Sequence, residues 1–124
     1  HLEKEAHMSI TDNLKRGTVE LLLLTLLGEQ DMYGYQLSQT LAQRSEGLFT
    51  LQEGSMYPTL YRLMEKGLIS DRKELVGKRR TRVYYHLEPK GETYLGEIRR
   101  EYFSLNQGVM NVLNSTKKAG EAGG

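Results

Sequence analysis

Six leucines crowd into the seven positions from Leu21 to Leu27. This density predicts a helix over Gly17 to Leu27 that is apolar on nearly every side, and such a helix is buried on every side. A chain this short can hardly surround it alone, so a partner subunit is expected to cover Leu22 and Leu26. Next, Tyr33, Leu37 and Leu41 recur every four residues, with Gln36, Ser38, Gln39 and Gln43 between them. That spacing predicts a short amphipathic helix from Gly34 to Arg44, entered through a tight loop over Glu29 to Tyr33. A third helix is expected from Ser55 to Lys66. Ser55 suits its N-cap, Pro58 is tolerated in a first turn, and Leu60, Leu63 and Met64 face inward. Gly67 supplies the stop. Between these helices, Leu48 to Leu51 reads as a short strand or an ordered turn.

The apolar period then drops to two. Leu68 to Glu74 and Thr81 to Leu87 flank a bend at Gly77, with Val83, Tyr85 and Leu87 on one face and Arg82, Tyr84 and His86 on the other. This is the pattern of a β-hairpin. From Pro89 to about Asn114 the period lengthens again. Leu95, Ile98, Tyr102, Leu105, Val109 and Val112 are spaced 3, 4, 3, 4 and 3, the 3.5-residue repeat of a coiled-coil seam. Gly28, Gly47, Gly54, Gly67, Gly77 and Gly91 are read as breaks between elements. The expected fold is mainly α with a small β-hairpin: three helices, the hairpin, then a long helix that pairs with a second copy of itself.

Composition narrows the class. The chain has 124 residues, 38% of them hydrophobic, and no cysteine. Disulfides, cysteine-zinc sites, iron–sulfur clusters and thiol nucleophiles are therefore out, and a reducing cytoplasm is the expected location. No apolar run approaches the roughly 18 residues of a membrane span, and no export signal is visible. Residues 1–8 read as an expression scar ending at a natural start, Met8, with a native leader as the alternative. Residues 9–88 are expected to form the main domain, 89–116 the dimerisation helix and 117–124 a disordered tail.

The net charge of +1 argues against a polyanionic partner until its placement is considered. From Asp71 to His86 there are six cations and two carboxylates, so this segment carries +4 and the rest −3. A basic tongue on an acidic body meets a polyanion first. Three helices followed by a basic hairpin is the winged-helix order, in which the third helix enters the major groove and the wing touches phosphates or the minor groove. Ser55, Tyr57, Thr59 and Arg62 are the expected outward face of that helix, while Tyr61 is expected at the edge of the core. Lys78, Arg79, Arg80 and Arg82 are the expected phosphate ligands. Catalysis has little to stand on: the histidines are His1, His7 and His86, no His/Asp/Glu cluster has metal-ligand spacing, and no phosphate-binding glycine loop is present. No cofactor is expected. The other reading is a winged-helix module that binds protein without sequence-specific DNA binding.

The chain resembles the PadR family of bacterial transcriptional regulators. The resemblance is carried by Gly54-Ser55-Met56-Tyr57-Pro58-Thr59-Leu60-Tyr61-Arg62-Leu63 with Gly67-Leu68-Ile69 after it. Gly17-Thr18, Tyr33-Gly34-Tyr35 and the segment Arg80 to Tyr85 add to it. It implies a winged helix-turn-helix that represses as a homodimer on an inverted-repeat operator in double-stranded DNA, with Tyr35 added to the DNA-binding face. It also implies a single dimerisation helix whose interface is Leu22, Leu26, Leu95, Ile98, Tyr102, Leu105, Val109 and Val112. A small hydrophobic or aromatic effector is implied by the same resemblance, and Tyr94, Tyr102, Phe103 and Met110 are candidates to line its pocket, with plain interface core as the alternative. Two departures stand out. Glu88 occupies a position where the family often has threonine. The chain also lacks tryptophan, which some drug-sensing relatives use to stack flat ligands.

Overall fold

In the computed structural model, residue 10 and residues 13–118 are described. The expected expression scar over 1–8 and the part of the expected tail beyond Lys118 lie outside them. The elements are α1 (Val19–Glu29), β1 (Met32–Tyr33), α2 (Gly34–Arg44), α3 (Glu53–Glu65), β2 (Ile69–Val76), β3 (Arg80–Leu87) and α4 (Pro89–Ser115). This is the expected winged-helix order with a long last helix. The residues Leu48 to Leu51 are neither strand nor helix.

Leucine density makes α1 the centre of the core. Leu23, Leu24, Leu26 and Leu27 are buried, and α2, α3, β3 and α4 all pack on this helix. The protomer therefore surrounds α1 largely by itself. Leu26 is 4% exposed and is a core residue, not the dimer contact expected of it. Leu22 is half-buried against the same cluster.

Helix α3 begins two residues early. Gln52 is its N-cap, and Ser55 lies inside the first turn, where its hydroxyl donates to the Gln52 carbonyl at 3.1 Å. Pro58 is thus beyond the first turn. Its missing N–H leaves the Gly54 carbonyl without the usual intrahelical bond. The helix ends at Gly67, where φ is +74°. Gly67 N–H donates to Met64 and Leu68 N–H to Leu63, which satisfies the last carbonyls and turns the chain into β2.

The hairpin strands are joined by a third. The sheet order is β1-β3-β2, all antiparallel, with Met32 opposite Tyr85, Tyr33 opposite Tyr84, and Ile69 opposite Leu87. β1 has two residues, too few for an alternating pattern, and it forms where a tight loop was expected. Inward residues Tyr85 and Leu87 are buried, and the hairpin becomes exposed toward its tip.

The first turn of α4 presses on the root of this hairpin. A Cβ on Gly91 would overlap the Leu68 carbonyl oxygen and stand 2.6 Å from Leu87 Cδ1. Gly91, Gly54 and Gly28 accordingly lie within helices, and are not breaks. Glu88 gives α4 no side-chain cap; its carboxylate accepts the Ser70 hydroxyl at 2.9 Å instead. Every residue of α4 from Glu101 to Ser115 is exposed. Among the described residues, no helix is long and apolar enough to cross a membrane.

Candidate nucleic-acid interface

The inward stripe of α3 is Met56, Thr59, Leu60 and Leu63, which are three, four and seven positions on from the first. Thr59 belongs to this stripe. It is 6% exposed, and its hydroxyl donates to the Ser55 carbonyl at 3.1 Å. The expectation that it faces outward is corrected: a threonine hydroxyl satisfied by its own helix can be buried among leucines. The outward stripe is Ser55, Pro58, Tyr61, Arg62 and Glu65.

The two tyrosines also exchange the places expected of them. Tyr57 is half-buried against the core, and a Cβ on Gly34 would overlap its hydroxyl, so the ring braces α3 against the start of α2. Burial, then Glu53 and Tyr61, hold its phenol above the ordinary tyrosine value. Tyr61 is 54% exposed and presents its ring to solvent 6.4 Å from that of Tyr57. Tyr61 and Pro58 were missed because Thr59 was read as polar and therefore outward. The spacing of Met56, Leu60 and Leu63 held the correct signal.

Arg62 is exposed on this face, with Nη2 donating to Thr59 Oγ1 at 3.2 Å. That bond steadies the guanidinium at one edge and leaves other donors for a base or a phosphate. Tyr35, in the first turn of α2, is also exposed, and its hydroxyl accepts from Gln39 Nε2 at 2.7 Å.

On the wing, Lys78 and Arg79 sit in the turn after Gly77, and Arg80 begins β3; all three are exposed. With Lys73 on β2 they are four cations that have no carboxylate partner among the described residues. Lys73 was not singled out from the sequence. Arg82 differs. It is half-buried, and its guanidinium lies 4.3 Å from the centre of the Tyr33 ring. Its role in the protomer is therefore to cover an aromatic of β1 as well as to carry charge. Arg72 is paired with Asp31 and Glu74. Leu75 stands near the tip, 67% exposed and opposite Thr81.

The expected dimer and pocket residues fall into three groups. Leu95 and Ile98 are half-buried against the protomer's own core. Tyr102, Leu105, Val109 and Val112 are exposed along α4. Tyr94 lines an open groove of about 440 Å³ between α4 and the segment from Leu14 to Leu21, together with Ile98, Tyr102 and Leu105. Phe103 and Met110 do not line it. Phe103 meets Tyr102 edge-on at 5.9 Å and lies under Arg99, and Met110 is exposed further along the helix. Among the described residues, no group of three His, Asp or Glu side chains is placed to hold a metal ion.

Known proteins share this arrangement. The chain is 33% identical over 93 residues to the transcriptional regulator YqjI of Escherichia coli, covering 75% of this chain and 43% of that one. Its likeness to that regulator thus spans less than half of the longer protein. It is 31% identical over 96 residues to the transcriptional regulator Rv3488 of Mycobacterium tuberculosis, covering 77% of this chain and 86% of that one. Its fold matches the crystal structure of a PadR family transcriptional regulator from Eggerthella lenta with a TM-score of 0.80 and 27% identity, covering 93% and 98% of the two chains. The profile of the transcriptional regulator PadR-like family matches residues 23–97, from the leucines of α1 through the wing into α4. The chain belongs to the PadR-like family of transcriptional regulators.

Proposed function

We propose that the protein is a homodimeric repressor that reads an inverted-repeat operator in double-stranded DNA. The observation that carries this is the pairing of two surfaces. The Ser55, Pro58, Tyr61 and Arg62 face of α3 lies on a helix that abuts β2, and β2 with its turn and β3 carries Lys73, Lys78, Arg79 and Arg80. A major groove admits one helix, and phosphates on its flanks suit unpaired cations. In this reading Arg62 is the base-reading side chain, with Tyr61 and Ser55 beside it. Tyr35 meets the backbone at the start of α2. Leu75 at the wing tip supplies an apolar contact for a minor groove.

Dimerisation through α4 is supported by the run of exposed apolar residues Leu105, Val109, Val112 and Leu113 on one helix. A two-fold dimer places its two reading helices about 34 Å apart, one turn of DNA. An effector that releases the protein must bind the DNA-free form better. The groove beside Tyr94 and Tyr102 is the place proposed for a small aromatic or hydrophobic one. Repression, rather than activation, rests on the family resemblance, while the cytoplasmic location rests on the absence of cysteine.

The test is selection of bound fragments from genomic DNA, followed by a salt titration. Arg80→Ala should weaken all sequences alike and lower the salt slope by about 0.9. Arg62→Ala should relax preference at one base pair by about 1–3 kcal/mol. Wild-type protein whose DNA affinity does not change with salt would instead support the protein-interaction module.

A further inference from the structure

Asp31 lies in the turn between α1 and β1, away from the α3 face and the wing tip, yet it holds two side chains of the wing. Its Oδ1 is 2.7 Å from His86 Nδ1 on β3, and its Oδ2 accepts Arg72 Nη1 from β2. Each partner is held again from its other side. Arg72 Nε donates to Glu74 Oε1 at 2.9 Å, and its guanidinium lies 5.3 Å from the centre of the Tyr84 ring. His86 Nε2 is 3.6 Å from Glu88 Oε2. Tyr84 meets Tyr33 edge-on at 5.5 Å, and Arg82 covers Tyr33. A line of contacts therefore runs from the helix-turn-helix into both strands of the wing.

The backbone alone gives the wing a narrow attachment here. β1 pairs with β3 through two residue pairs. From His86 to Arg79, in the turn, the chain advances seven residues, or about 23 Å at about 3.3 Å per residue. A rotation of about 10° at His86 would move the tip by about 4 Å, more than the length of a hydrogen bond.

We propose that Asp31 is a positioning residue for DNA binding: by holding His86 and Arg72 it fixes the angle at which the wing carries Lys78, Arg79 and Arg80 to phosphates. This rests on the DNA-binding reading above. An ordinary surface ion pair makes the opposite forecast. Asp31→Asn would raise the net charge from +1 and so tighten binding to a polyanion. Positioning predicts looser binding despite the added charge, so the sign of the change separates the two.

His86 stands among charged groups from every side: Asp31 from the turn, Glu88 from the start of α4, and Arg72 and Asp71 from β2. Burial works to raise the Asp31 carboxyl, but hydrogen bonds from His86 and Arg72, and then their charges, hold it below its ordinary value. Asp31 is thus an ionised acceptor for both side chains around neutral pH.

The experiment has two arms, each run on wild type, Asp31→Asn and the conservative Asp31→Glu. In the free protein, amide hydrogen exchange in β2 and β3 should quicken about tenfold in Asp31→Asn while α2 is unchanged, and Asp31→Glu should retain the wild-type pattern. On mixed genomic DNA fragments, Asp31→Asn should bind about tenfold more weakly. Its salt slope should fall by about 0.9 for each phosphate the wing gives up. Normal wing exchange with equal or tighter DNA binding overturns the proposal. Wild-type protein without salt-dependent affinity overturns the DNA-binding reading instead, and the exchange arm alone then decides whether Asp31 fixes the wing.

Discussion

Glu46 is the one non-glycine with positive φ among the described residues, at +53°. It closes α2: its N–H donates to Gln43 and that of Gly47 to Ala42, at 3.1 and 2.8 Å. This is the position where helices most often place glycine, because a Cβ in the left-handed region costs about 1–2 kcal/mol. Glu46→Gly removes that strain and regains most of it after the looser unfolded chain is counted. We expect urea unfolding to show a gain of about 1 kcal/mol. Tyr85 gives a second test at the same scale. Burial, then Tyr57, Tyr61 and Asp71, push its phenol up to about 12. A raised value means that the folded state keeps its proton longer. The associated stability is fully present below about pH 10 and is lost as pH rises toward 12. Two pH units of displacement correspond to about 2–3 kcal/mol. Denaturant unfolding at about pH 9 and pH 11.5 should show a much smaller loss in Tyr85→Phe than in wild type, and an equal loss would disprove the assignment.

At the scale of elements, Gly91 shows what a glycine in a helix can mean. Nothing stands within 4 Å of a Cβ built on Gly108, whereas one on Gly91 would strike the Leu68 backbone. Gly91→Ala therefore forces α4 away from the wing root and should cost about 1–3 kcal/mol as overpacking. Gly108→Ala in the isolated helix follows propensity and should gain up to about 1 kcal/mol. Thermal melts of the two variants should move in opposite directions for the protomer. The contrast also explains which elements were legible in the sequence. The bounds of α2 were readable to the residue because its apolar and polar positions repeat without interruption. The wing was readable because a switch to period two beside a glycine has few other meanings. α3 was displaced by two residues because Ser55 looks like a cap, although its hydroxyl bonds backward to Gln52. β1 was hidden because two residues cannot show a period, and its pairing depends on the distant Tyr84 and Tyr85. The candidate interface was legible in its cations. Thr59 and Leu26 were misplaced because residue type alone does not tell which side of a helix is covered, or by what.

At the scale of the molecule, the two ends of α4 differ. Its first turns are packed on α1 and the wing root, while from Glu101 onward every residue is exposed. Val109 and Val112 are 48% and 63% exposed, with Leu105 and Leu113 beside them. Burying an apolar side chain of this size contributes about 1.5–3 kcal/mol, and a two-fold pairing uses each residue twice. A charge placed on this strip would be stranded in the pair but solvated in a single protomer. Val109→Glu with Val112→Glu should therefore dissociate the proposed dimer while leaving the winged domain folded, since neither side chain touches the protomer's core. Sedimentation should report half the wild-type mass, and the thermal melt should lose its dependence on protein concentration. On DNA, one protomer can occupy only one half-site. The variant should protect a single half-site, bind an inverted repeat more than tenfold more weakly than wild type, and show about half its salt slope. A monomer that still bound the full inverted repeat with wild-type affinity and slope would show that pairing through α4 has no part in reading the operator.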